Sequence, residues 1–329
     1  MLEFWHGRRT LITGIGGFVG ANLARALQDH GAIVGGIDRA PSSPSMRALG
    51  VDAKAIVADV TDLAAMVNAM ADVRPDVIYH LAGYSHIADC AAAPHQSFAI
   101  NAMGPVAVLE AVRRATPEAA VVVASSNEVY PSGGPWREDR PEQRPEPRTL
   151  YGWTKRAQDD AARAYGQLLG LKTATLRHAN AIGGANPHST HLVQSVILAL
   201  LGGQPVRLRS DGSPRKAYLA VQDVCAAYLL LGEALLTGRI RSGQAWNAGS
   251  DETPSARDVA ERLAALAGRP GVVEVGPPQA TGPDAGGYWQ GLDSRRLAAL
   301  GWTPRYLNVA LAETWDWYVK HGATAWQDA

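Results

Sequence analysis

The chain has 329 residues, enough for one large domain or two closely joined lobes with a substantial hydrophobic core. Its 31 basic and 31 acidic residues balance, so the net charge favours neither nucleic acid nor an anionic membrane surface as a partner. The two cysteines argue against a disulfide framework or a cysteine-based zinc site, and the longest apolar runs are too short to span a bilayer. A strand is predicted close to the first residue, with no room for a signal peptide, so we expect a cytoplasmic protein.

The first half of the chain alternates β-rich runs with alanine-rich helical stretches. The pattern predicts strands in "RRTLITG", "AIVGGID", "DVIYHLAG", "AAVVVASS" and "LKTATLRHAN", and helices in "FVGANLARALQDHG", "DLAAMVNAMADV", "NAMGPVAVLEAVRRA" and "YGWTKRAQDDAARAYGQLLG". This alternation predicts an α/β fold of the Rossmann type, a doubly wound parallel sheet with helices on both faces.

The second half mixes predicted helices with isolated short strands, which is typical of a smaller lobe packed against the sheet. Two stretches rich in proline, glycine and charge, residues 132–149 and 269–291, are predicted to be loops. The first should form a rim of the cleft at the strand ends. The second is interpreted as a lid or substrate loop, or as a plain surface loop.

A glycine-rich turn lies between the first predicted strand and the first predicted helix. Gly14 allows the tight turn, Gly17 allows a pyrophosphate to approach the backbone, and Gly20 lets helix and strand pack closely. Asp38 closes the next strand, where a carboxylate accepts hydrogen bonds from the adenosine ribose and repels a 2′-phosphate. The pattern predicts a dinucleotide site that takes NAD in preference to NADP, although Arg39 could also contact a phosphate.

Further residues at strand ends complete the predicted cofactor site. Asp59 is placed to contact adenine, and a helix N-cap is the other interpretation of this residue. The full predicted set is Gly14, Gly17, Phe18, Val19, Gly20, Asp38, Arg39, Asp59, Val60, Leu81, Ala82, Gly83, Asn101, Tyr151 and Lys155.

Tyr151 and Lys155 are spaced i and i+4, so they share one face of a helix. A free tyrosine has a pKa of about 10, and a nearby ammonium favours the phenolate. The pair therefore predicts a base that takes the proton of a substrate alcohol while hydride leaves to NAD.

The order of these motifs resembles the extended short-chain dehydrogenase/reductase family, which acts on nucleotide sugars. Landmarks of the family run along nearly the whole chain: "TGIGGFVG", "HLAG", "NAMG", "SSNEVY", "YGWTK", "RHANAIGG", "AWNAGS" and "DSRRLAALGWTPR". The resemblance implies a catalytic trio of Ser126, Tyr151 and Lys155, with Ser126 bonded to the reacting sugar hydroxyl. It also implies that Asn101 supports the lysine, that Asn180 contacts the substrate diphosphate, and that the protein is a homodimer.

Glu128 matches the carboxylate that removes the C5 proton in sugar 4,6-dehydratases, once C4 has become a ketone. Asn127 stands where many dehydratases carry an aspartate, and an amide cannot protonate the departing C6 hydroxyl. Either Glu128 then serves as both base and acid, or elimination at C6 does not occur. The other interpretation of Glu128 is a strand-end carboxylate bonded to backbone.

The substrate residues are implied by the same resemblance. Ser85 and His86 match a segment common in dehydratases and would face the sugar, and Lys216 replaces a usual arginine near the diphosphate. The predicted substrate set is Ser85, His86, Ser126, Asn127, Asn180 and Lys216. The groups that the chain resembles most are the CDP-glucose and GDP-mannose 4,6-dehydratases.

The sequence thus predicts an NAD-dependent nucleotide-sugar 4,6-dehydratase acting on a nucleotide-diphosphate sugar. Alternatives are a 4-epimerase or 4-ketoreductase with the same trio, or a non-catalytic NAD-binding protein. Residues 1–177 are predicted to form the NAD-binding Rossmann domain, and residues 178–329 mainly a substrate-binding lobe interleaved with its sheet. His178, His188 and His191 have no metal-site spacing, so we expect no metal and interpret them as loop or cleft residues.

Overall fold

The computed structural model describes residues 2–53, 55–138, 146–279 and 287–322. A seven-stranded parallel sheet lies at its centre. In spatial order the strands are β12 (Gln244–Ala248), β7 (Lys172–His178), β5 (Ala120–Ser126), β4 (Val77–His80), β1 (Arg9–Thr13), β2 (Ile33–Asp38) and β3 (Ala55–Val57).

Helices connect the strands and continue into the second half. In chain order they are α1 (Leu2–Trp5), α2 (Phe18–Asp29), α3 (Pro44–Leu49), α4 (Leu63–Val73), α5 (Ile87–Ala92), α6 (Pro94–Phe98), α7 (Gly104–Ala115), α8 (Leu150–Leu168), α9 (Leu192–Leu201), α10 (Val221–Leu236), α11 (Ala256–Leu266), α12 (Arg295–Ala299) and α13 (Leu307–His321). A π-helical segment, Ala99–Met103, leads into α7, and a 3₁₀ turn, Asn127–Val129, follows β5. Within the described ranges, no helix combines the length and the apolar character needed to traverse a membrane.

The sheet is buried on both faces, because alternate strand residues enter different clusters. Tyr79 and Val122 pack with α2 and α10, whereas their neighbours Ile78 and Val121 pack with α4 and α7. Because both faces of the sheet are buried, the sequences of the strands are continuous apolar runs. The predicted doubly wound Rossmann-type fold is confirmed.

Three short sheets accompany a third hydrophobic cluster, built on α9, α11 and α13. They pair β6 (Gly133–Trp136) and β10 (Arg215–Lys216) with β14 (Trp289–Leu292), β8 (Asn180–Ile182) with β11 (Tyr218–Ala220), and β9 (Val206–Arg207) with β13 (Val273–Glu274). Strand β12 returns to the edge of the main sheet, so the second half of the chain is interleaved with the first.

The strand order reverses between β1 and β4, since the chain runs from β1 to β3 in one direction and then returns to the other side of β1. In open α/β sheets, ligands bind beyond the carboxyl ends of the strands at such a switch point. The residues that follow β1 and β4, Gly14 and the segment 81–83, occupy this position.

Candidate active site

The glycine-rich turn joins β1 to α2 at the switch point. Gly14 has a φ of +75°, and a Cβ on it would lie 2.7 Å from the backbone nitrogen of Ala82. A Cβ on Gly20 would lie 2.1 Å from the carbonyl oxygen of Gly14, so only hydrogen fits between helix and turn. Gly17 is the N-cap of α2, and no side chain caps this helix end, which leaves the first amides for an anion.

Two carboxylates lie beyond this turn. Asp38 accepts hydrogen bonds from the backbone nitrogens of Gly16 at 2.8 Å and Arg39 at 2.7 Å, which fixes it at the end of β2. Asp59 accepts from both the backbone and the hydroxyl of Thr61, and these hydrogen bonds lower its pKa. The N-cap of α4 is Asp62, so the alternative interpretation of Asp59 as a helix cap is wrong.

The predicted residues meet at one cleft with a volume of about 1190 Å³. Its lining includes Gly14, Gly17, Phe18, Val19, Gly20, Asp38, Arg39, Asp59, Val60, Leu81, Ala82, Gly83, Ser85, His86, Ser126, Asn127, Glu128, Tyr151, Asn180 and Lys216. Asn101 and Lys155 are buried directly behind Gly83, because a Cβ on that glycine would lie 2.6 Å from the Asn101 Oδ1 and 3.4 Å from the Lys155 Nζ.

Asn101 is held inside the π-helical segment and connects two parts of the site. Its Oδ1 accepts from the backbone nitrogen of Tyr84 at 2.8 Å, and its Nδ2 donates to the hydroxyl of Thr154 at 2.9 Å. Thr154 directly precedes Lys155 on α8. Asn101 therefore anchors the helix next to the lysine through Thr154 rather than accepting a hydrogen bond from the ammonium itself.

Lys155 is buried, and burial lowers its pKa to about 8. Its Nζ donates to the side chain of Gln158 at 2.9 Å and lies 5.9 Å from the centre of the Tyr151 ring. Burial raises the pKa of Tyr151 and the charge of Glu128 raises it further, whereas a hydrogen bond with Ser126 lowers it. In this geometry the hydrogen bond with Ser126 favours the phenolate, and the ammonium of Lys155 lies nearby.

Ser126, Asn127 and Glu128 follow one another at the end of β5 and in the 3₁₀ turn. The Ser126 Oγ accepts from the backbone nitrogen of Glu128 and donates to the Asn127 Oδ1, each at 3.1 Å. The Asn127 Nδ2 in turn donates to the Gln290 Oε1 at 2.6 Å. The amide of Asn127 is thus tied to β14.

Glu128 is buried and lines the cleft, and burial raises its pKa. The hydroxyl of Tyr288 donates to its Oε1 at 3.1 Å, and a hydrogen bond with Thr149 and the charges of Lys216 and Arg148 also lower the pKa. The carboxylate is therefore surrounded by side chains of the site rather than held by backbone alone.

The far wall of the cleft comes from the second half of the chain. The Asn180 Nδ2 donates to the carbonyl of Ala217 at 3.1 Å. The ring centres of His86 and His188 lie 5.7 and 4.9 Å from that of His191. Among the described residues, no group of three or more His, Cys, Asp or Glu side chains is arranged to hold a metal ion.

The two stretches predicted as loops are only partly described. Residues 139–145 and 280–286 lie outside the described part of the chain. The described remainder contains β6 in the first stretch, and β13 and the start of β14 in the second, and none of it lines the cleft.

The sequence analysis missed Gln158, Tyr288 and Gln290. Gln158 lies one helical turn beyond Lys155, a spacing that could have indicated a contact. Tyr288 and Gln290 are two residues apart ahead of a family landmark, and only the period of a β-strand hinted that they share one side.

A parallel sheet with a glycine turn at its switch point, and a Ser, Tyr and Lys at the adjoining strand end and helix, define a short-chain dehydrogenase/reductase. The sequence matches the model of the NAD dependent epimerase/dehydratase family over residues 10–249, and the chain belongs to that family. The family resemblance predicted from the motifs is confirmed.

The relatives include enzymes of two reaction types. The chain is 30% identical to a UDP-glucose 4-epimerase of Mycolicibacterium smegmatis, covering 93% of this chain and 95% of that protein. It is 27% identical to a dTDP-glucose 4,6-dehydratase of Xanthomonas campestris pv. campestris, covering 94% and 93%. The chain is thus related over more than nine-tenths of its length to nucleotide-sugar 4-epimerases and 4,6-dehydratases.

Solved structures of 4,6-dehydratases and 4-epimerases also superpose on this chain. A dTDP-glucose 4,6-dehydratase from Streptomyces venezuelae, with NAD bound, superposes with a TM-score of 0.83 at 25% identity, covering 97% of this chain and 99% of that one. A UDP-glucose 4-epimerase from Thermus thermophilus, also in complex with NAD, superposes with a TM-score of 0.81 at 26% identity, covering 96% and 99%.

Proposed function

We propose that this protein is an NAD-dependent nucleotide-sugar 4,6-dehydratase, which oxidises C4, eliminates water across C5 and C6, and reduces C6. The observation that supports this best is the position of Glu128, buried at the cleft beside Ser126 and close enough to Tyr151 to raise its pKa. The oxidation of C4, which a simple 4-epimerase shares, does not require this carboxylate. A dehydratase needs a second proton transfer, at C5, in which the Glu128 carboxylate would act as the base.

The residues of the switch point fit NAD. Gly14 and Gly20 leave a cradle that a Cβ would fill, and Asp38 lies at the strand end where a ribose would be held. When bound, NAD supplies a hydride acceptor for C4 and a hydride donor for C6. The relatives solved with NAD bound support the same cofactor.

The chain's own residues carry the protons. Ser126 would bind the C4 hydroxyl, and Tyr151 would take its proton, with Lys155 providing a nearby positive charge. Glu128 would take the C5 proton and give it to the C6 hydroxyl, which leaves as water. Its raised pKa suits the first step, because it makes the carboxylate a stronger base toward the C5 proton. A proton returning to C5 completes the redox-neutral cycle.

A second candidate function is 4-epimerisation, which needs the trio but not Glu128. It is favoured by one observation: the Asn127 amide, bonded to Gln290, offers no acid for the leaving hydroxyl. A 4-ketoreductase would use the same residues. A non-catalytic NAD-binding protein is disfavoured by the buried Ser, Tyr and Lys at the cleft.

The test is a mass-spectrometric screen of the purified protein against CDP-glucose, GDP-mannose, dTDP-glucose and UDP-sugars. We expect a product lighter by one water, with a substrate like CDP-glucose or GDP-mannose. An isomer of unchanged mass would instead establish the epimerase. Consumption of NADH by a 4-keto sugar would establish the reductase, and NAD binding without turnover the non-catalytic protein.

We further propose that residues 1–177 hold the cofactor and the catalytic trio, and that residues 178–329 mainly hold the substrate.

We also propose that NAD binds in preference to NADP. Asp38→Asn should reduce the preference for NAD over NADP by about tenfold, since it removes the charge that repels a 2′-phosphate. Nucleotide-sugar affinity should not change. Calorimetric titrations measure the affinities for NAD, NADP and the nucleotide sugar, with Asp72→Asn, at an exposed aspartate, as the control. Equal affinities of the wild type for NAD and NADP would contradict the preference.

We also propose a homodimer formed through the helices that begin near Asn101 and Tyr151. Phe98, Met103 and Trp153 lie on or beside these packed helices and are exposed, at 40%, 58% and 43%. Sedimentation at micromolar concentration should give twice the chain mass, and Trp153→Glu should shift it toward the monomer. A wild-type protein that sediments as a monomer would contradict the proposal.

A further inference from the structure

Two residues of the C-terminal half contact the 3₁₀ turn that carries Glu128. Gln290, in β14, accepts from the Asn127 side chain at 2.6 Å and donates to the Asn127 carbonyl at 3.1 Å. Tyr288, just ahead of β14, donates to the Glu128 Oε1 at 3.1 Å. The two are separated by one residue, so their side chains leave the extended segment on the same side. Both residues that follow Ser126 are therefore held by one segment.

Tyr288 is itself fixed. Its side chain is 3% exposed, and its carbonyl accepts from the backbone nitrogen of Arg215 at 2.8 Å. The next residue, Trp289, bonds through its backbone nitrogen to the Ser132 hydroxyl, and its indole donates to Thr253. The backbone that carries the phenol is thus held on both sides, by Arg215 of β10 and by Ser132 just ahead of β6.

The groups that face Glu128 come from four elements. Lys216 is on β10, Arg148 and Thr149 precede α8, Tyr151 is in its first turn, and Tyr288 begins the β14 segment. The Lys216 ammonium and the Arg148 guanidinium lie 5.2 and 5.6 Å from the centre of the Tyr288 ring, within the range of a cation–π contact. Tyr288 therefore contacts both the Glu128 carboxylate and the two cations whose charges lower the pKa of Glu128.

We propose that Tyr288 is a positioning residue that holds the Glu128 carboxylate ionised and turned to the cleft. Tyr288 is 3% exposed and its hydroxyl donates to Glu128, which lines the cleft, so the phenol acts through the carboxylate. Its consequence for catalysis, a Glu128 ready to take the C5 proton, rests on the proposed dehydratase function. The hydrogen bond between Tyr288 and Glu128 does not depend on that proposed function.

Tyr288→Phe removes the donor and keeps the ring. The hydrogen bond lowers the pKa of Glu128, so its loss raises that pKa and leaves less carboxylate at a given pH. We expect the acid limb of the kcat profile to move up by about one pH unit. The rate should recover above that limb. KM should not change, because Tyr288 acts through the carboxylate.

The direct readout is the infrared titration of the Glu128 carboxyl band, isolated as the difference between each protein and its Glu128→Gln counterpart. Tyr288→Phe should raise the midpoint by about one pH unit. A 3-fluorotyrosine at position 288 is a stronger donor and should lower it. Tyr306→Phe, the same change at a tyrosine that is 87% exposed, is the matched control and should leave it in place.

A midpoint that neither Tyr288→Phe nor the fluorinated residue moves would overturn the inference, whatever the turnover. A midpoint that moves in both directions as stated, in a protein whose product is an isomer, would uphold the positioning role and overturn the dehydratase. A midpoint that moves together with the acid limb of water elimination supports both.

Discussion

Replacing Glu128 with glutamine should abolish the loss of water while C4 is still oxidised. Glutamine keeps the shape of the side chain but cannot accept the C5 proton, and general-base catalysis of this kind contributes about a hundredfold to ten-thousandfold in rate. We therefore expect a 4-keto sugar, lighter than the substrate by two hydrogens, in place of a dehydrated product. Mass spectrometry of a single-turnover reaction distinguishes the two.

The Glu128→Gln variant should also be at least as stable as the wild type near neutral pH. Burial raises the folded-state pKa of Glu128, so the folded protein binds this proton more tightly than the unfolded chain does. The stability that Glu128 contributes is therefore lost as pH rises from the unfolded to the folded pKa. Glu118→Gln, on the surface, is the control. A Glu128→Gln protein that dehydrates at the wild-type rate would contradict the role of Glu128.

Tyr151→Phe should stop the reaction one step earlier, at the oxidation of C4. The phenol is the group placed to take the alcohol proton, and its hydrogen bond with Ser126 is the contact that lowers its pKa. We expect a fall of about a hundredfold to ten-thousandfold in turnover. Neither the 4-keto sugar nor the dehydrated product should form.

The matched control for this variant is Tyr165→Phe, which removes a hydroxyl from the same helix, α8, far from its first turn. NAD affinity, measured by calorimetry, should be retained in both variants. A Tyr151→Phe enzyme that still forms the 4-keto sugar at an undiminished rate would show that another group takes the proton.

The sheet could be predicted because its signals are local. The apolar runs of β1, β2, β4, β5 and β7 each identify a strand, and the glycine turn and Asp38 lie within one β-α-β stretch. Strand β12 was not predicted from the sequence, because "AWNAGS" is a short segment whose partner strand, β7, lies far away in the sequence. Nothing local in such a segment indicates the sheet that it joins.

The contacts of the site depend on packing between distant segments. The hydrogen bond from Tyr288 to Glu128 joins residues that no local pattern relates, and the same is true of Gln290 and Asn127. The spacing of Tyr151 and Lys155 predicted a shared helix face, but the nearest acceptor of the ammonium, Gln158, depends on burial and rotamer. The catalytic roles of these residues stay predictions.

The most direct test of the proposed reaction follows a deuterium label placed at C4 of the nucleotide sugar. The dehydratase account predicts a product lighter by one water that keeps the label, now attached to C6, because the hydride removed from C4 is the one returned to C6. A product of unchanged mass with the deuterium back on C4 would contradict that account and establish an epimerase.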